Sequence, residues 1–278
     1  MRRFVALVLV LGLAVPAYAS DGESGLTPEY PWPVYAGSDF QAIYRYAVAN
    51  TLPGLDPPGG YQAVTGNDTV DQRIWDLALA RGYVPQPVAS GSLGRSGILM
   101  QPLAAEGWQT LNAEARENRM GFIARSAFRS LTTQRIMFNE RLSGTSDSAI
   151  ERALTWAAPP GMSKHHGGYA LDFRYPDGTY GSFRSSPGYA WLAANNFEVA
   201  KRHGFLPSYP DDVTNQGPNP EPWEFVWVGT DLLRCGIPQT LPVQATGPAA
   251  ALLIDIAHCP GGADPPEIPV WIPTPSHS

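Results

Sequence analysis

Ten residues, Ser163 to Asp172, constrain the fold of this chain more than any other stretch. They read Ser-Lys-His-His-Gly-Gly-Tyr-Ala-Leu-Asp and place His165 seven residues before Asp172, with two glycines between them. Glycine takes left-handed backbone dihedrals without a steric penalty, so the chain can turn back here before a strand-like run over 169–175. An imidazole on that turn and a carboxylate at the start of that strand can converge on one cation.

A second stretch, 221–229, reads Glu-Pro-Trp-Glu-Phe-Val-Trp-Val-Gly. Its two glutamates, Glu221 and Glu224, flank a Pro-Trp pair at the start of an apolar, β-prone run. A metallopeptidase needs about three protein ligands for its cation, with one position left for water or substrate. It also needs a nearby carboxylate that takes the proton of that water. The two stretches together carry side chains of both kinds.

The same residues resemble the signature of the zinc D-alanyl-D-alanine carboxypeptidases of the VanY type. That family shares its fold with lysostaphin-type peptidases and with the hedgehog signalling domain. The resemblance therefore implies an α+β fold in which a small antiparallel sheet is flanked by helices, over roughly residues 70 to 230. The motifs that carry it stand in family order: Ser126-Ala-Phe-Arg129-Ser130-x-x-x-Gln134, Ser163-x-His165-x-x-Gly168-x-Ala170-x-Asp172, Gly204-Phe205 with Ser208-Tyr-Pro210, and Glu221-Pro-Trp223.

The resemblance implies that His165 and Asp172 bind the metal and that Glu221 is the general base. The family carries a histidine as its third zinc ligand, three residues after the base, where this chain has Glu224. A carboxylate is a competent zinc ligand, so the predicted set is His165, Asp172 and Glu224. Two anionic ligands cancel the charge of a divalent cation and weaken its pull on bound water. The pattern leaves open zinc, a harder ion such as manganese, or a site that no longer catalyses.

Arg129 follows an apolar run and precedes a predicted helix. The resemblance implies that its planar guanidinium binds the free C-terminal carboxylate or nearby peptide groups of a substrate. Ser130 and Gln134 are predicted to steady this arginine or to contact substrate, and Ser163 to do the same beside the metal.

The predicted activity is hydrolysis of the D-alanyl-D-alanine end of peptidoglycan stem peptides. Two other functions remain open from the sequence. The chain could be a wall-binding module that keeps the cleft without turnover, or an endopeptidase of the same fold that cuts a different wall bond. Oligomeric state is left undetermined.

The N-terminal residues 1–19 have the pattern of a secretory signal peptide, with Arg2 and Arg3, an apolar core and an Ala-Tyr-Ala cleavage site. That apolar core is shorter than the ~20 residues that span a bilayer, so no stable membrane insertion is expected after cleavage. Cleavage would leave 17 of the 19 basic residues against 25 acidic ones. This excess argues against nucleic acid as a partner. A periplasmic or extracellular location is expected.

The remaining segments are assigned by composition and periodicity. Residues 20–69 read as a Pro/Gly-rich N-terminal extension, 70–230 as the peptidase-like domain and 231–278 as a C-terminal extension. An even cysteine count in an exported chain predicts a Cys235–Cys259 disulfide, with two separate buried thiols as the alternative. The elements predicted from periodicity are helices near 38–50, 70–81, 102–118, 131–142 and 186–203, and strands over 120–127, 169–175 and the run after Glu221.

Overall fold

The computed structural model describes residues 32–95 and 97–237. Within them lie the α-helices α1 (Gly37–Asn50), α2 (Asp68–Ala80), α3 (Pro102–Glu117), α4 (Leu131–Asn139), α5 (Asp147–Leu154), α6 (Tyr180–Phe183), α7 (Pro187–Arg202) and α8 (Thr230–Cys235). The strands are β1 (Leu55–Asp56), β2 (Val88–Ala89), β3 (Gly94–Arg95), β4 (Leu99–Met100), β5 (Ile123–Ser126), β6 (Ala170–Arg174), β7 (Phe205–Pro207) and β8 (Glu224–Trp227). A 3-10 helix spans Lys164–Gly167. No helix in the described residues is long and apolar enough to cross a membrane.

Helix starts follow the local sequence. Two helices, α3 and α7, begin with proline, whose missing N–H is not needed at that position. Helices α2, α4, α5 and α7 are capped by a polar side chain that accepts a hydrogen bond from the backbone N–H three residues later. These capping residues are Asn67, Ser130, Ser146 and Ser186.

A four-stranded antiparallel sheet carries the predicted site. Its strand order is β5-β6-β8-β7, so β6 and β8 are the central strands. The first four residues of β6 are all buried. Two further pairs, β1–β2 and β3–β4, form small separate ribbons. The prediction of an α+β fold with a small antiparallel sheet beside helices is confirmed.

The main core is aromatic and centres on Phe173 of β6, which is fully buried. Its ring centroid lies 5.1 Å from that of Trp108 and 5.3 Å from those of Phe122 and Phe225. Helix α1 contributes buried residues such as Ile43 to the same core. The helix predicted inside the N-terminal extension therefore packs in the same core as the central sheet.

A second apolar cluster joins α2, α4 and α5 through residues that include Ile74, Phe138 and Ile150. Helix α5 was not predicted from the sequence. It lies at the end of a polar stretch, and its start depends on Ser146 as the N-terminal cap.

Three predicted elements differ in extent from the observed ones. The strand expected from residue 120 starts only at Ile123, because Gly121 has a positive φ of 60° that interrupts extended backbone. The helix expected to reach residue 142 ends at Asn139. Helix α7 bends at 194–197, where Asn196 adopts a left-handed φ of 59° and its side chain bonds both backbone groups of Tyr35.

At the C-terminal end, α8 lies within the segment predicted as an extension, and Leu233 belongs to the main core. Cys235 is the last residue of α8, whereas Cys259 lies outside the described residues. The predicted signal peptide, 1–19, also lies outside them. Both assignments stay predictions.

Candidate metal centre

Pairing of the two central strands brings together Asp172 and Glu224, which are 52 residues apart in the chain. Their Cα atoms are direct partners in the antiparallel register of β6 and β8. Residues that face each other in this way place their side chains on the same side of the sheet, with Cβ atoms about 5 Å apart. Both carboxylates are buried.

His165 reaches the same point from the 3-10 turn that precedes β6. Gly168 ends that turn with a φ of 75°, and its N–H donates to the His165 carbonyl oxygen. The imidazole Nδ1 lies 2.6 Å from the carbonyl oxygen of Ala127. This contact fixes the ring and directs Nε2 toward the carboxylates, 3.3 Å from Asp172 Oδ1 and 3.2 Å from Glu224 Oε2.

These three buried residues fit a small divalent cation. Their ligand atoms all lie within 4.8 Å of one another. A tetrahedral ion with bonds of about 2.0 Å has ligand atoms about 3.3 Å apart, close to the separations of His165 from the two acids. In addition, Asp172 Oδ1 is buried and has no hydrogen-bond partner. Buried carboxylate oxygens without partners are costly, and a bound cation removes that cost.

The electrostatics of the three residues are tightly linked. Burial lowers the pKa of His165, but the charge of Asp172 together with the hydrogen bonds to Asp172 and Glu224 raises the net pKa to about 9. Burial raises the pKa of Glu224, yet its hydrogen bond to His165 and the charge of Lys164 lower the net value to about 2. The cluster thus holds a proton on the imidazole, at the position where a cation would replace it.

Glu221 lies in the turn before β8, and its carbonyl oxygen accepts the N–H of Glu224. Its side chain lines the same cleft as the three candidate ligands. Burial, followed by the negative charges of Glu224 and Asp172, raises the pKa of Glu221 well above its usual value. A carboxyl group with a raised pKa close to a cation site has the properties of a general acid and base.

Arg129 lies between the sheet and α4 and faces the cleft. Its guanidinium donates to Gln134 Oε1 at 2.9 Å and to Ser126 Oγ at 3.2 Å, and it lies 3.7 Å from Asp172 Oδ2. Gln134 is fully buried and is held by its own bond of 2.6 Å to the Ala158 carbonyl oxygen. Gln134 therefore steadies Arg129.

Ser130 and Ser163 occupy different places. The Ser130 hydroxyl caps α4 and hydrogen-bonds Thr133, whereas the hydrogen bonds of the Arg129 guanidinium go to Gln134 and Ser126. Ser163 is buried and forms part of the cleft wall beside His165.

His166 points away from the cluster although it is adjacent to His165. Its Nδ1 lies 2.7 Å from the Arg129 carbonyl oxygen, and its Nε2 accepts the N–H of Gly161 at 3.0 Å. Burial lowers the pKa of His166 to about 4, so the ring is neutral. His203 lies elsewhere and pairs with Glu114.

The cleft in front of the cluster has a volume of about 490 Å³. Its wall includes the aromatic side chains of Tyr209 and Trp223. The lining residues that were not predicted from the sequence include Arg141, Trp156, Lys164 and Tyr180.

Comparison with known proteins identifies the segment that builds this site. The family model of the D-alanyl-D-alanine carboxypeptidases called VanY matches residues 97–230. Residues 97–230 are thus similar to the VanY family. The match contains every candidate site residue, from Arg129 to Glu224.

A D-alanyl-D-alanine carboxypeptidase of Enterococcus faecalis (strain ATCC 700802 / V583) is 29% identical to this chain over 183 residues. The aligned part covers 60% of this chain and 63% of that protein. The chain thus spans less than two thirds of this curated relative.

Two solved structures are similar over about half of this chain. A mutant of the vancomycin resistance D,D-pentapeptidase VanY in complex with Zn(II) is 26% identical, with a TM-score of 0.45, and the alignment covers 56% of this chain and 91% of that one. A VanYB complex with D-alanine-D-alanine is 27% identical, with a TM-score of 0.42, and covers 51% and 78% of the two chains.

Within the VanY segment, Lys164 is an unforeseen neighbour of the candidate ligands. Its ammonium lies 3.8 Å from Glu224 Oε1, donates to the Ser208 carbonyl oxygen at 2.9 Å and sits 3.7 Å from the Tyr209 ring centroid. A lysine before the motif histidine gave no signal in the sequence, because its contacts come from strands and loops more than forty residues away.

Proposed function

We propose that this protein is a metal-dependent D,D-carboxypeptidase that removes the terminal D-alanine from peptidoglycan stem peptides. One observation carries the proposal: three buried side chains, His165, Asp172 and Glu224, converge in a cleft that Glu221 and Arg129 also line. The match of this segment to the VanY family supports the reaction class.

His165, Asp172 and Glu224 would hold the cation, with zinc as the expected ion and manganese as the alternative for an oxygen-rich set. Such a cation polarises the scissile carbonyl and makes a water molecule easier to deprotonate. The contact of His165 Nδ1 with the Ala127 carbonyl oxygen holds the ring in one orientation, and a partner of this kind strengthens metal binding by a histidine.

Glu221 moves the protons of the reaction. Its carboxylate accepts a proton as water attacks the carbonyl carbon of the D-alanyl-D-alanine bond. When the C–N bond breaks, Glu221 returns that proton to the amine nitrogen of the leaving D-alanine. The raised pKa of Glu221 suits this exchange, because an acid that must also give up its proton works best near the operating pH.

Arg129 would bind the carboxylate at the C-terminus of the substrate. A planar guanidinium can donate two parallel hydrogen bonds to a carboxylate, and its bonds to Gln134 and Ser126 hold it in place. This contact would select peptides that end at the cleaved residue and so favours a carboxypeptidase over an endopeptidase. In this proposal Ser163 contacts the substrate beside His165, and Ser130 acts indirectly by fixing the start of α4.

A wall-binding module without turnover is the second candidate, and Glu224 is the observation that favours it. A second anionic ligand reduces the net charge available to activate water. Binding of a wall peptide in the cleft would survive such a loss.

Metal analysis together with D-alanine release tests the proposal. The purified protein should contain about one divalent ion per chain and release D-alanine from a stem peptide. Glu221→Gln should keep the metal and lower kcat by roughly 10²–10⁴-fold, because an amide cannot accept the proton. Glu117→Gln, an exposed glutamate at the end of α3, is the matched control and should behave like the parent.

Each outcome separates the candidates. Metal with unchanged turnover in Glu221→Gln would remove Glu221 from the mechanism. Peptide binding without metal or turnover would establish the wall-binding module. Internal cleavage products from whole muropeptides would replace the carboxypeptidase with an endopeptidase.

Export through a signal peptide over 1–19 is part of the proposal and would place the protein in the periplasm or outside the cell. The N-terminal sequence of the secreted protein tests it. The expected first residue is Ser20, and a secreted chain that starts at Met1 would contradict cleavage.

A further inference from the structure

Lys164 brings a positive charge against the candidate metal ligands. Its side chain is 14% exposed, and its ammonium lies 3.8 Å from Glu224 Oε1, an ion pair without a direct hydrogen bond. The Ser208 carbonyl oxygen and the face of Tyr209 hold that ammonium from the other side. Lys164 and His165 are consecutive residues of one 3-10 turn, so the same turn supplies a ligand and a cation.

The two oxygens of Glu224 face different groups. Oε2 lies 3.2 Å from His165 Nε2, at the point where the ligand atoms converge. Oε1 points to Lys164 and has no hydrogen-bond partner in the described structure. The ammonium therefore distinguishes the two oxygens and leaves Oε2 as the one presented to a cation.

We propose that Lys164 and Glu224 act as a pair that takes the place of a single neutral third ligand. Lys164 is a positioning residue in this pair. It neutralises the extra charge of Glu224 and holds its carboxylate with Oε2 toward the cation. This inference rests on the proposed metal site.

Charge counting supports the pairing. With His165 neutral, the two acids give the ligand set a charge of −2, and the ammonium of Lys164 restores −1. That is the charge of a set with one carboxylate and two neutral imidazoles. A divalent cation bound by His165, Asp172 and Glu224, with the Lys164 ammonium beside them, would thus keep a net positive charge, which it needs in order to activate water.

The pairing predicts the effect of replacing Glu224 by a neutral histidine ligand. Glu224→His by itself would remove the carboxylate that pairs with the Lys164 ammonium, which would then lie beside a bound dication. An uncompensated buried charge is destabilising, so the single replacement should bind metal poorly. Glu224→His combined with Lys164→Met should bind it better.

A double-mutant cycle measures this dependence. Lys164→Met is made in the parent and in Glu224→His, and Lys164→Gln repeats both steps with a side chain that can still donate to Ser208. The matched control is Lys201→Met. Lys201 is also buried, but its ammonium is held by the Pro33 carbonyl oxygen and Asn196 Oδ1, away from the site.

The first readout is thermal unfolding of the metal-free proteins. Lys164→Met should lower Tm by about 2 °C or more in the parent, because it removes one of the two positively charged neighbours of the buried Glu224 carboxylate and leaves only His165. In Glu224→His it should leave Tm unchanged or raise it. Lys201→Met should shift Tm equally in both backgrounds. If the Lys164 variants fold only when combined with Glu224→His, that result also supports the pairing, because Lys164 is then required only when Glu224 is present.

The second readout is the Kd for Zn²⁺ alone, by competition with a chelator. Lys164→Met changes the Kd for Zn²⁺ by one factor in the parent and by another in Glu224→His. We expect the second factor to favour binding over the first by at least about tenfold. Equal effects in both backgrounds would overturn the pairing, as would failure of the Lys164 variants to fold in either background. If the effect of Lys164→Met depends on the residue at position 224 in Tm but not in Kd, the pair stabilises the fold without tuning the metal site, and the proposal is also overturned.

The same data separate this inference from the proposed function. If the parent binds Zn²⁺ but the effect of Lys164→Met is the same in both backgrounds, the Lys164–Glu224 pairing is wrong and the metallopeptidase proposal stands. If the parent binds no divalent ion, both the metallopeptidase proposal and the Lys164–Glu224 pairing are wrong.

Discussion

Replacing Glu224 by alanine is the most direct test of the candidate ligand set. Structural zinc sites bind with about 10–16 kcal/mol, shared among four ligands, so one ligand contributes roughly 3–4 kcal/mol. Each 1.4 kcal/mol is a tenfold change in Kd. His165 Nε2 lies 3.2 Å from Glu224 Oε2 and 3.3 Å from Asp172 Oδ1. Because these distances are nearly equal, the geometry gives no reason to expect Glu224 to be a weaker ligand than Asp172.

We therefore expect Glu224→Ala to weaken Zn²⁺ binding by roughly 10²–10³-fold. His165→Ala should weaken it by a similar factor, and Glu221→Gln should stay close to the parent. The assay is competition between the protein and a chromogenic chelator at pH 7.5, with circular dichroism to verify folding. Parental affinity in folded Glu224→Ala would show that the third donor lies elsewhere, and the reasoning from the tetrahedral separations would fail.

Three further predictions concern substrate binding, pH and the core. Arg129→Ala should lower kcat/KM roughly 10–100-fold on peptides with a free C-terminus, since a charge-assisted contact is lost; equal losses on amidated peptides would argue against a carboxylate contact. Burial lowers the pKa of His166 to about 4, from about 6.5 in the unfolded chain. Keeping this ring neutral therefore contributes roughly 3 kcal/mol to the free energy of unfolding, which is fully present above pH 6.5 and is lost as the pH falls to 4. Urea unfolding of metal-free His166→Asn at pH 7 and 4.5 should show a smaller loss than the parent, and equal losses would contradict this. Phe173→Ala should cost about 3–5 kcal/mol of unfolding free energy, and a cost below about 1 kcal/mol would mean that the aromatic cluster is not the core.

Short-range features of the site were predictable from the sequence because they depend on the local backbone. The turn between His165 and Asp172 requires a residue that accepts a positive φ, and Gly168 supplies it. Helices α2, α3 and α7 follow from apolar periodicity and from end signals such as the proline at the start of α3. The departure at Glu224 was also visible, since it depends on spacing from Glu221 alone.

Other features depended on which segments pack together. The adjacent histidines His165 and His166 look alike in the sequence, and only their different carbonyl partners direct one toward the carboxylates and the other away. The contact of Lys164 with Glu224 arises because β6 and β8 pair in one register and bring Ser208 and Tyr209 alongside.

The extent of the folded unit was likewise decided by tertiary packing. Helix α1 and residue Leu233 were assigned to extensions by composition, yet both contribute to the main core. Composition and periodicity report the local preference of a segment, whereas burial depends on the surface that the rest of the chain offers it. The sequence alone determined which residue types are available to the site. The tertiary structure decided which of two histidines, and which charged neighbours, meet there, because those contacts join residues that are far apart in the chain.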